Sequence, residues 1–184
     1  PRLVSSAASD VYKRQPPAEA VGLDGIEKIV RDESLINACK DGQDLDARWN
    51  MMMASTEGAM AFSKGLGAVH SMSHAIGANQ ELRLHHGTLN GVILPTVIRF
   101  NKDHVGDKLS RILRAMGKSE SADLADEIEK FNEKINLPSG LKEMGVTEDM
   151  IPELVEHSIT DPSNVTTPRL PSPEEWEQLF LSAM

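Results

Sequence analysis

A single cysteine, Cys39, stands in 184 residues, so no intramolecular disulfide can form and the chain suits a reducing compartment such as the cytoplasm. Aromatic residues make up only 4% of the chain, beside nine methionines, a balance that suits helices better than the aromatic-rich strands of a sandwich. No excess of positive charge exists. The formal net charge is −9, which argues against a nucleic-acid partner, because phosphate binding needs a basic surface. No apolar run approaches the roughly 20 residues needed to span a bilayer, and the first residues lack the basic segment and apolar core of a signal peptide. No stretch alternates apolar and polar residues as a half-buried strand would. What is left is the size of one domain, long enough to bury a core, and it reads as all-α: a multi-helix bundle.

Residues 1–15 differ from the rest. Ser5–Gln15, SSAASDVYKRQ, matches the conceptual translation of a transposon-based sequencing adapter, so residues 1–15 are expected to be a non-native tail and are set aside from fold reasoning. Residues 16–184 are expected to form one helical, metal-binding domain. Pro16-Pro17 opens a helix expected to run to about Cys39, with Ala20, Leu23, Ile26, Ile29 and Val30 on its apolar face; prolines are tolerated in a first turn. Gly22 and Gly25 lie in this stretch, where they weaken an isolated helix, so close packing against a neighbour is expected there. A second helix is expected over 44–63, its methionine-rich stripe with Trp49, Met52, Met53, Thr56, Met60 and Phe62 turned inward as core.

Further on, 65–78 reads as a helix rich in small residues and 79–85 as a connection. Residues 87–101 are apolar nearly all round and predict a buried central helix, kinked at Pro95. Amphipathic helices follow near 105–117 and 124–135, then a short one at Leu141–Glu143 and one near 148–158. Residues 161–171, DPSNVTTPRLP, read as an irregular loop. Ser172-Pro173-Glu174-Glu175 then has the form of a capping box with proline at the first helical position, and Trp176, Leu179, Phe180 and Met184 follow on the core side of the last helix.

The chemistry gathers in one place. Four histidines, His70, His74, His85 and His86, lie within seventeen residues. His70 and His74 are four apart and share one helix face, and His85-His86 immediately precede Gly87, where the next helix begins. Two helices that face each other with imidazoles can hold a metal between them; packed, hydrogen-bonded core histidines are the plainer reading of the same pattern. A zincin peptidase does not fit, because Ser71 stands where its H-E-x-x-H motif carries the general-base glutamate. Gly65-x-Gly67 lacks the strand context of a dinucleotide fingerprint.

Three motifs in the chain, G-L-G-x-V-H-x-M-x-H-x-x-G, H-G and N-x-x-x-L-P-x-V-x-x-F-N, closely resemble in this order a signature of the iron-containing (group III) alcohol dehydrogenases. L-P-x-G-L-x-x-M-G-V, a late aspartate and T-x-P-R follow that family more weakly through the C-terminal half. The resemblance implies an NAD(P)-dependent alcohol dehydrogenase interconverting an alcohol and an aldehyde or ketone. It implies a divalent metal, iron first and zinc as an alternative, with His70 and His86 as ligands. By the same resemblance His74 lies beside substrate and nicotinamide as a catalytic residue outside the metal shell. The link between His74 and His86 is about two residues longer than in common members, and His85 replaces a usual proline; a shifted frame would make His85 the ligand.

In the family two further ligands come from a D-x-x-x-H pair, and this chain has none: Asp44, Asp46 and Asp103 are followed four residues later by Arg48, Asn50 and Asp107. A glycine-rich nucleotide domain is also missing. The fragment is therefore expected to bind metal weakly, to show no turnover and to associate through apolar surface that the missing half would cover. NAD and NADP are not distinguished. The other readings are a non-catalytic helical interaction module and a relative of glycerol dehydrogenase or dehydroquinate synthase on the same scaffold.

Overall fold

The computed structural model describes residues 16–184, and the expected adapter-derived tail at 1–15 lies outside the described residues. Among the described residues every regular element is helical. The described chain divides into two compact units, one of residues 16–65 and 110–120 and one of residues 66–109 and 121–184. No helix among the described residues is long and apolar enough to cross a membrane.

The first unit is built on α1 (Pro16–Ile26), α2 (Ser34–Lys40) and α3 (Leu45–Ala61). The single helix expected over 16–39 is two. A π-helical turn, Glu27–Arg31, leads into a break at Glu33, whose φ of 54° is left-handed and cannot continue a right-handed helix. Asp44 caps α3, its side chain accepting from Ala47 N at 2.9 Å, which satisfies one of the amides left open at a helix start. The two early glycines behave as expected: a Cβ on Gly25 would lie 3.2 Å from Glu57 Oε2, and one on Gly22 would lie 3.5 Å from Ala61 Cβ. Lys28 pairs with Asp24 and, at 3.0 Å, with the buried Glu57.

The inward face of α3 is not the expected one. Ala47, Ala54 and Glu57 are buried, whereas Trp49, Met52, Met60 and Phe62 are all more than half exposed. Ala54 and Glu57 lie against Gly25 of α1, and the bulky residues are left exposed.

The second unit holds the main core. It contains α4 (Ala68–Gly77), α5 (His86–Asn101), α7 (Leu124–Lys134), α8 (Ile151–Thr160) and α9 (Pro173–Ser182); α6 (Lys108–Ala115) straddles the boundary between the units. α4 packs against both α5 and α8, and α5 against α7 and α9. Met72, Ile76, Leu89, Ile93, Leu141, Trp176 and Phe180 interlock with almost no exposure.

α5 runs through Pro95 as one continuous helix. Proline lacks the N–H that Gly91 O would receive four residues earlier. Asn132 on α7 supplies the missing donor, its Nδ2 lying 2.9 Å from Gly91 O, so the freed carbonyl is satisfied. The short helix expected at Leu141–Glu143 is instead a turn, ended by Gly145 with φ 89°. Just before it, a Cβ on Gly140 would fall 2.3 Å from Met184 O. Only glycine permits that backbone approach, which lets Leu141 N donate to Ala183 O at 2.8 Å.

The irregular loop expected over 161–171 contains a 3-10 helix, Pro162–Thr166. The capping box is present in full, with Ser172 N donating to Glu175 Oε2 at 2.8 Å and Glu175 N to Ser172 Oγ at 3.2 Å.

Candidate metal centre

α4 brings His70 and His74 to one face, as their spacing requires, and the start of α5 brings His86 against them. The His86 ring centroid lies 5.3 Å from that of His70 and 5.3 Å from that of His74, nearly parallel to the latter at 16°. His70 and His74 meet edge to face at 5.7 Å. The helices come this close because α4 carries Ala68, Ser71, Ser73 and Ala75 toward its neighbours, all buried.

His85 takes another role. It is the N-cap of α5, accepting from Thr88 N through Nδ1 at 3.3 Å, and its ring lies beside Gly87, where a Cβ would be 3.0 Å away. Of the two adjacent histidines, His86 is the one whose ring faces His70.

Asn90, one turn after His86 on α5, completes the cluster. Its Nδ2 lies 3.1 Å from His86 Nε2 and 3.5 Å from His70 Nε2, so two imidazole nitrogens converge on one point. Its Oδ1 is buried without a partner among the described residues. Ser73 fixes the His86 tautomer: its one hydroxyl proton goes to His70 O at 3.1 Å, so toward His86 Nδ1, at 3.4 Å, the oxygen can only accept. That places the His86 proton on Nδ1 and leaves the Nε2 lone pair toward Asn90, the arrangement by which an outer partner orients a metal-binding imidazole.

Electrostatics favours the same neutral state. Burial first, then the neighbouring His86 and His74, push the His70 imidazole below its ordinary value against a smaller opposing effect of Asp161. Burial, then His74 and His85, lower His86 likewise. Both rings therefore offer unprotonated nitrogen, the form a cation requires. A partly positive amide N–H₂ already sits where the two lone pairs meet, so the donor set suits a divalent ion. It is incomplete: among the described residues no group of three or more His, Cys, Asp or Glu is arranged to hold a metal ion.

Residues 12–184 match the model of the Fe-containing alcohol dehydrogenase family, C-terminal. The chain belongs to the iron-containing alcohol dehydrogenase family. It is 42% identical over 176 residues to the 4-hydroxybutyrate dehydrogenase of Cupriavidus necator, covering 92% of this chain and 46% of that protein. It is 30% identical over 178 residues to the NAD-dependent methanol dehydrogenase of Bacillus methanolicus, again covering 92% of this chain and 46% of that protein. The crystal structure of a 1,3-propanediol oxidoreductase superposes with a TM-score of 0.83 at 30% identity, covering 92% of this chain and 46% of the other. The chain thus spans about half the length of the relatives it matches, and its all-helical fold is that of the C-terminal domain of iron-type alcohol dehydrogenases.

Two contributors were not singled out from sequence. Asn90 follows His86 by four residues and so shares its helix face, a signal the sequence does contain. Asp161 Oδ2 lies 3.0 Å from His74 Nδ1 across 87 residues of chain; the sequence carries it only as the late aspartate of the family resemblance, with no role attached.

Proposed function

We propose that this chain is the metal-holding helical part of an NAD(P)-dependent dehydrogenase that interconverts a primary alcohol and its aldehyde, with residues 16–184 as the functional domain and residues 1–15 as a non-native tail. The observation that carries the reading is the convergence of His70 and His86 Nε2 beside the exposed ring of His74. The substrate class is supported by the relatives' names, since 4-hydroxybutyrate, methanol and 1,3-propanediol are all primary alcohols at the carbon that reacts.

His70 and His86 would hold the cation, with iron favoured by the family and zinc equally compatible with imidazole. A divalent ion there supplies Lewis acidity to the substrate oxygen. Ser73 orients the His86 imidazole from its other nitrogen. His74, stacked on His86 and 41% exposed, orients the alcohol or carries its proton without binding the metal. The remaining ligands and most of the nicotinamide contacts would come from the half of the relatives' length that this chain does not span. Two donors make half a shell, so this chain alone binds metal weakly and turns nothing over. The exposed Trp49, Met52, Met60 and Phe62 support the expectation that it associates.

The test is to extend the natural reading frame upstream of the codon for Pro16 and assay the product with NAD or NADP and primary alcohols. A D-x-x-x-H pair in that extension, with metal-dependent turnover that falls roughly a hundredfold or more in His70→Ala and His86→Ala, is the predicted outcome; even outer-shell partners of a metal cost 10–100-fold. Turnover indifferent to both substitutions would overturn the reading.

A further inference from the structure

The loop after α8 holds one polar group against the histidine cluster that the dehydrogenase reading does not use. Asp161 caps the Pro162–Thr166 turn by accepting from Ser163 N through Oδ1 at 2.7 Å, while its other oxygen, Oδ2, faces His74 Nδ1 at 3.0 Å. The carboxylate is well shielded, with 12% of its side chain exposed against 41% for His74.

The loop is fastened to the helix it serves. Asn164 Oδ1 accepts from Ser71 Oγ at 2.7 Å, and its Nδ2 donates to Ser158 O at 2.7 Å. Thr166 Oγ1 donates to Leu66 O at 2.6 Å. Ser71 and His74 are three apart on α4, and their partners Asn164 and Asp161 are three apart on the loop, so two matched contacts fix the register of one against the other. The His86 ring stacks on His74 with centroids 5.3 Å apart.

An ionised carboxylate can only accept hydrogen bonds. Burial would raise the Asp161 carboxyl, but the hydrogen bonds from Ser163 and His74 outweigh it and hold it below the ordinary carboxylate value. The proton between the two groups therefore sits on the imidazole.

We propose that Asp161 is a positioning residue that holds His74 as its Nδ1–H tautomer, so that Nε2 turns an unshared pair outward to accept a hydrogen bond from the hydroxyl of an alcohol. The partner on one ring nitrogen decides what the other can do, and among the described residues Asp161 is the partner of His74 Nδ1. The purpose of the device rests on the dehydrogenase reading, but its readout does not.

The test uses the metal-free 184-residue chain labelled with nitrogen-15, at a pH above about 8 where free imidazole is neutral. Two-bond nitrogen–proton correlation spectra of the imidazoles report each tautomer. The wild-type chain is expected to show His74 mainly as Nδ1–H, and Asp161→Asn, which keeps the cap on Ser163, to show mainly Nε2–H with the backbone amide spectrum retained. Asp161→Ser, able to cap the turn but too short to reach His74, provides the same reversal should the asparagine variant fail to fold. His74 found as Nε2–H in the wild type, or as Nδ1–H in a folded variant, would overturn the proposal. Failure of His70 and His86 to bind metal would overturn the functional reading and leave this result standing, so the two failures are distinguishable.

Discussion

The two tryptophans separate the two units of this protein. Trp176, in the second unit, has no exposed surface, and Trp49, in the first, is 63% exposed. Both lie on helices whose apolar residues recur at helical spacing, so periodicity alone treats them alike. What distinguishes them is the neighbours. α9 drops Trp176 into a core lined by Leu141, Ile151 and Leu154, whereas α3 turns its alanines toward the glycines of α1 and leaves its indole outside. An apolar stripe shows that a helix has a face that avoids water; it does not show which of two such faces finds a partner in this chain.

The largest expected effect sharpens that contrast. Trp176→Ala should cost about 3–5 kcal/mol of unfolding free energy, the range for emptying an aromatic site in a core, and Trp49→Ala under about 0.5 kcal/mol, as at an ordinary surface position. Urea unfolding of the two variants measures both, and equal losses would erase the distinction. A smaller effect is expected at Asn132. Replacing it by alanine leaves the Gly91 carbonyl without the donor that Pro95 withholds, a loss of about 1–3 kcal/mol seen as a lower melting temperature. Restoring the helical N–H by combining Asn132→Ala with Pro95→Ala should recover part of it; no recovery would mean that Asn132 acts through packing instead.

The smallest effect belongs to the first unit and is pH-dependent. Glu19 accepts from Lys64 at 2.7 Å and from Arg111 at 2.8 Å. Burial alone would raise its carboxyl, but these two cations outweigh burial and hold it below the ordinary value. A carboxyl depressed on folding binds fewer protons in the folded state than in the unfolded one, so its contribution is complete above the unfolded value of about 4.3 and fades as pH falls below it. Glu19→Gln should therefore flatten the decline in melting temperature below about pH 4.3. An unchanged acid limb would show that the cations do not discriminate between the two protonation states.

Much of this fold is written in local signals. Asp44, Asp123 and Ser172 each start a helix by accepting backbone amides, and each stands at the head of an apolar pattern where a cap belongs. Part of the histidine cluster is equally legible, because His70 and His74, four residues apart, share one helix face. The parts that were not legible depend on distant chain. Glu33 breaks the first long helix in a left-handed conformation that no proline or glycine announces. Leu141–Glu143 is a turn where Gly140 closely approaches the backbone of Met184, a contact with the far end of the chain. Asp161 meets His74 where Asn164 fastens its loop to Ser71 of α4 and Thr166 fastens it to Leu66 just before that helix, contacts that exist after folding and leave no periodic trace.

The most direct test of the central claim is a titration of the chain with a divalent ion, using zinc because it does not change oxidation state, followed by thermal melting. An ion that binds only the folded state must raise the melting temperature. The account predicts a rise in the wild type that is retained in His85→Ala and abolished in His70→Ala and in His86→Ala. An equal rise in the His70→Ala, His86→Ala double variant would contradict it and return these two histidines to the role of packed core residues.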